Sequence, residues 1–161
     1  MRASLLAPML ALATAVASTL ASAQTATQTV TFAVNAINQI SATGSPSLTI
    51  TTAVAGSAPT DATDASSSWA VTTNQTGAKI TGSIPAAMGT GLTLSVNLVA
   101  PGSATSAGVT PLGTVAVDLV TGITKVAQSG MTATYHLSAT PAAGVVSSAT
   151  RVVTYTITGG T

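Results

Sequence analysis

Met131-Thr132-Ala133-Thr134-Tyr135-His136-Leu137-Ser138-Ala139, followed after a short loop by Val153-Thr154-Tyr155-Thr156-Ile157-Thr158, carries the strongest structural signal in the chain. In the first run Met131, Ala133, Tyr135, Leu137 and Ala139 alternate with Thr132, Thr134, His136 and Ser138. In the second, Val153, Tyr155 and Ile157 alternate with Thr154, Thr156 and Thr158. A period of two sends the apolar set to one face of a sheet and the threonines to the other. Two such strands need other strands to bury that face.

Working outward, the same pattern recurs. Leu92, Leu94, Val96 and Leu98 alternate with Thr93, Ser95 and Asn97. Trp69, Val71 and Thr73 share a phase and run into Asn74-Gln75-Thr76-Gly77, a compact hairpin signal. Lys79 to Ile84 returns with Ile80 and Ile84 on one side, and Thr114 to Val120 is a weaker strand. Leu48, Ile50 and Val54 suggest a further strand after the turn at Gly44-Ser45-Pro46-Ser47. Small-residue loops are expected at Ala55–Ser68 and Pro101–Pro111, with Thr121–Gly130 bridging to the terminal pair. Seven to nine short strands with no helical period predict an all-β sandwich of immunoglobulin-like or Greek-key type. A closed barrel is the structural alternative.

The first residues read as a helical signal peptide. Arg2 supplies the positive start, Leu5 to Leu20 the apolar core, and Ala21-Ser22-Ala23 the small-residue cleavage site. Residues 1–23 are therefore expected to be removed, leaving 24–161 as a single secreted sandwich domain with no membrane span. Cysteine is absent, so stability must come from packing and hydrogen bonds without disulfides.

Charge narrows the function further. Only 4% of residues are charged, with four Lys plus Arg, three Asp and one His. Loss of Arg2 would leave three cations against three carboxylates. Ordinary soluble domains carry about a quarter charged residues, and a net charge near zero favours association. Without a basic patch to displace counterions, nucleic acid is not an expected partner.

The residues offer little chemistry. His136 is the single candidate base, and it lies on the threonine-bearing face of its strand. Asp61-Ala62-Thr63-Asp64 presents two carboxylates, with Ser66 and Ser67 nearby, but calcium wants six to eight oxygens. Aspartates in such loops usually close side-chain turns. Asn74-Gln75-Thr76 matches an N-glycosylation acceptor, which a tight turn also explains. Thr-x-Thr pairs resemble ice-binding faces, yet no fixed solenoid period accompanies them. Sugar sites use exposed aromatics, of which the chain has only Phe32, Trp69, Tyr135 and Tyr155, three of them on core-facing positions. Neither enzyme activity nor a cofactor is expected.

The opening strand carries the positive argument. Val30, Phe32, Val34 and Ala36 alternate with Thr29, Thr31, Ala33 and Asn35, and none of the eight is charged. Exposed edges are normally guarded by charge or proline. Lys79, Lys125 and Arg151 lie at expected strand starts and suit that duty elsewhere, but this segment has no such guard. It is expected either to complete its own sheet or to add to a neighbouring copy's sheet, a head-to-tail contact that propagates.

The leader, the early strand Thr29-Val30-Thr31-Phe32-Ala33-Val34 and the terminal Arg151-Val152-Val153-Thr154-Tyr155-Thr156-Ile157-Thr158 resemble secreted bacterial surface and fibre subunits of spore-coat/pilin-like or matrix-fibre type. The cysteines of many pilins are missing. The resemblance implies a structural, self-assembling protein of the cell surface, a homopolymer whose assembly strand is Thr29 to Ala36. An extracellular glycan-binding module is the alternative.

Overall fold

The structure, a computed structural model, describes residues 22–161. The chain divides into two compact units, Met1–Ala33 and Val34–Thr161. In the first, the described residues 22–33 are exposed and carry no strand. The expected leader falls outside the described residues apart from its last two.

The second unit is all-β. Its strands are β1 (Asn38–Thr43), β2 (Ala62–Thr73), β3 (Ala78–Ser83), β4 (Leu92–Leu98), β5 (Thr105–Ser106), β6 (Thr110–Pro111), β7 (Val117–Ile123), β8 (Val126–Ala139) and β9 (Thr154–Thr158). They form two antiparallel sheets, one ordered β1-β2-β8-β4-β6 and the other β5-β7-β3-β9. A single 3-10 turn, Pro141–Ala143, follows β8.

Alternation becomes burial where both sheets face each other. Met131, Ala133 and Tyr135 of β8, Leu94, Val96 and Leu98 of β4, and Trp69 and Val71 of β2 point inward from the first sheet. Ile80 of β3 and Leu119, Val120 and Ile123 of β7 meet them from the second. Gly82 of β3 leaves room for the Leu119 side chain of neighbouring β7, whose Cδ1 would lie 2.6 Å from an added Cβ. Full burial of each large aliphatic contributes about 1.5–3 kcal/mol before entropy opposes it.

Several expectations are corrected. The opening strand starts later than its pattern suggests, because residues 22–37 carry no strand and pairing begins at Asn38. Leu48 reaches the core, but residues 44–52 form no strand; the isolated bridge Ala53–Pro59 replaces one. The expected loop Ala55–Ser68 is already strand from Ala62, since β8 runs alongside that stretch and pairs with it from Leu137 to Thr132, while β1 reaches only Ser68. Asn74–Gly77 is no hairpin: β2 and β3 lie in different sheets, so the turn carries the chain across the sandwich. The terminal pair is likewise split, β8 in one sheet and β9 in the other. Strand β7 extends to Ile123, three residues past the expected Val120, and the bridge shrinks to a turn at Lys125, whose φ is +41°. The expected loop Pro101–Pro111 holds the two short strands β5 and β6.

Candidate functional site

The two ends of the sandwich differ. At one end lie the β2–β3 crossing, the start of β1 and the C-terminus. Asn74 is the fastener there: its Oδ1 accepts from Ile37 N–H at 2.8 Å, and its Nδ2 donates to Asn35 O at 2.7 Å. Thr76 and Thr161 exchange two backbone hydrogen bonds, of 2.9 and 3.0 Å. Asn38 donates to Gln75 Oε1 and accepts from Thr73 Oγ1, each at 2.7 Å. The chain thus enters β1 at a fixed point, with Val34 just before it.

Thr29, Val30, Thr31, Phe32, Ala33, Val34, Asn35 and Ala36 are all exposed and belong to no strand. Val30 is 73%, Phe32 89% and Val34 78% accessible. Single exposed apolar side chains are ordinary, and Val115 and Val145 are as accessible; what sets this stretch apart is three of them in strand alternation without a charge among them. The alternation that marks this stretch in sequence therefore has no sheet partner among the described residues.

At the opposite end the core is open. Strand β3 stops at Ser83 while β8 runs on to Ala139, so the second sheet does not cover the last part of β8 or the start of β4. Leu94, Tyr135 and Leu137 form the floor of a groove of about 360 Å³. Leu48 and Pro46 wall one side, and Ala149 to Val153 with Met88 wall the other. Arg151 is the single charged residue lining it. The wall Ala149–Val153 continues β9 backward as irregular chain; among the described residues no backbone hydrogen bond joins it to another segment. Beyond it, β9 pairs with β3 on one side and ends its sheet on the other.

Two polar features shape this end. Tyr135 and Tyr155 join the sheets through their hydroxyls, 2.7 Å apart. Burial, reinforced by that bond, pushes the Tyr155 phenol well above its usual range, so it stays neutral. Asp64 ties the groove wall down: its Oδ2 accepts from Ser47 N–H at 2.8 Å, and its Oδ1 accepts from Ser66 N–H and Oγ at 2.8 and 2.6 Å. The Ser66 hydroxyl first, then the two backbone amides, hold its carboxyl below the usual aspartate value.

The other candidate residues stay apart. His136 Nδ1 lies 3.2 Å from Thr63 Oγ1 on the outer face, and among the described residues it pairs with no carboxylate. Among the described residues no three acidic or histidine side chains gather as metal ligands. Trp69 is 2% accessible and serves the core, with Tyr135 also buried. Lys79 pairs with Asp118 at 2.9 Å inside the second sheet rather than guarding an edge. Among the described residues no helix is long and apolar enough to cross a membrane.

The groove itself was not legible in sequence. Its lining comes from five separated segments, and only the unequal lengths of β3 and β8 open it. Comparison with protein-family models, with curated proteins and with solved structures finds no match.

Proposed function

We propose that this protein is a non-enzymatic structural subunit, exported by its leader, whose immunoglobulin-like Greek-key sandwich assembles into an extracellular or cell-surface filament. Residues 29–36 act as the assembly strand, adding to the sheet of another copy. One observation carries the reading: Val30, Phe32 and Val34, in strand alternation and without a charge among them, stand exposed and have no strand partner among the described residues. Strand addition would satisfy their backbone groups and cover about three large apolar side chains, each worth 1.5–3 kcal/mol when fully buried. The glycan-binding alternative draws less support, because Trp69 is enclosed in the core and cannot stack on a sugar there.

The test is electron microscopy and sedimentation of the chain beginning at Gln24. Wild type is expected to form filaments. Phe32→Asp is expected to stay monomeric with a melting midpoint close to wild type, since it touches no core residue, and a deletion of residues 25–36, which also removes the bond from Asn74 to Asn35, is expected to leave assembly-defective subunits that stay monomeric or misfold. Filaments of unchanged form from the truncated chain would refute strand addition.

A further inference from the structure

We infer that the groove floored by Leu94, Tyr135 and Leu137 is the acceptor for residues 29–34 of a second copy, which lie along Ala149–Val153 and the free edge of β9. This rests on the assembly reading above and names the surface it leaves open.

Three observations lead to this surface. The groove offers what the segment lacks: apolar side chains on its floor and walls, and an adjoining stretch of backbone that makes no backbone hydrogen bond to another segment among the described residues, Thr150 O accepting only from the Arg151 side chain. The electrostatics are permissive, since the segment is uncharged and the groove contributes only Arg151, which is exposed. Geometry then selects the copy. The segment is tethered at Asn35, held by Asn74 at one end of β2. The groove lies beside Asp64, which pairs with Tyr135 at the other end of β2. From Asp64 to Asn74 the strand spans roughly 30 Å at about 3.3 Å per residue. Three residues of extended chain from Asn35 to Phe32 reach only about 10 Å. The tether is thus too short for Phe32 to span that distance. A second copy placed end to end brings the tethered segment of one to the open end of the next, which is a heterologous contact that extends into a fibre.

The competing acceptor is the free edge of β1, also uncharged, which sits at the first sheet's border. Because the chain has no cysteine, engineered thiols report unambiguously. Copies carrying Thr31→Cys are mixed with copies carrying Thr150→Cys at the groove wall, or with copies carrying Ser41→Cys on β1, assembled, and treated with a short bis-maleimide. The expected result is a 31–150 dimer in filaments and little 31–41 product. Filaments linked at 31–41, or at neither position, would overturn the groove while leaving strand addition standing. A chain that never assembles would overturn both. As a second measurement, a peptide of residues 27–36 should bind Phe32→Asp protein saturably. The same peptide with aspartate at the phenylalanine position should bind at least about tenfold more weakly, the effect of losing one buried aromatic. Equal binding of the two peptides would also overturn the assignment.

Discussion

Asp64 shows how a single side chain can hold a wall in place. Its three accepted hydrogen bonds come from Ser47 and Ser66, one on the irregular segment before β2 and one within β2. These bonds favour the carboxylate, so the folded pKa lies below the unfolded one. The stabilising contribution is therefore present above the unfolded value and is lost as pH falls through the lower, folded value. A carboxyl-carbon NMR titration should find Asp64 titrating below an unstructured aspartate peptide. Ser66→Ala, which removes the largest cause, should move the midpoint upward. A midpoint unchanged by that substitution would show that the Ser66 hydroxyl is not what lowers it. The sequence marks Asp61 and Asp64 as loop carboxylates but conceals this role, because Ser47 is brought near only when β2 has formed.

At the level of elements, the fold depends on strands that are neighbours in sequence parting into different sheets. Tyr135 on β8 and Tyr155 on β9 bridge that separation directly. Replacing Tyr155 with Phe leaves the mostly buried Tyr135 hydroxyl short of its partner, at a cost of about 1–2 kcal/mol. Replacing both removes the unmet group along with the bond. Chemical denaturation of Tyr135→Phe, Tyr155→Phe and the double variant should thus give a double-mutant loss smaller than the sum of the single losses. Strict additivity would mean that the two hydroxyls do not depend on one another. Both tyrosines are visible in sequence as members of inward-facing sets. Their meeting is not, since alternation gives a face without naming the sheet opposite.

Across the whole molecule, the scarcity of charge sets how copies would meet. The one ion pair among the described residues, Lys79–Asp118, has both side chains nearly half exposed, at 44% and 49%. Pairs of this kind contribute about 0–1 kcal/mol. The surfaces proposed to join are apolar, so screening should matter little and the salting-out strength of the medium should matter more. Light scattering is expected to show nearly equal assembly in dilute and moderately concentrated sodium chloride, with ammonium sulfate promoting it. Dissolution by sodium chloride alone would point to charge pairing instead. The unequal ends of the sandwich belong to this scale too, since only the finished fold sets the Asn35 tether and the open groove at opposite ends of β2.

What residues could state by themselves, they stated well for β4 and β8, where Leu94, Val96, Leu98, Met131, Ala133 and Tyr135 all turn inward as their alternation requires. The all-β character, the lack of disulfides and the uncharged opening segment were likewise present in the chain alone. Period two is a local property of the backbone, which is why it survives without knowledge of neighbours. Pairing is not local. The run Ala62–Ser68 looks like a loop and becomes strand because β8 pairs along it, whereas Thr29–Ala36 looks like strand and stays unpaired among the described residues. Hydrogen bonds between strands join residues far apart in sequence, so the choice of sheet, the crossing at Asn74–Gly77 and the open groove were decided only in the tertiary structure.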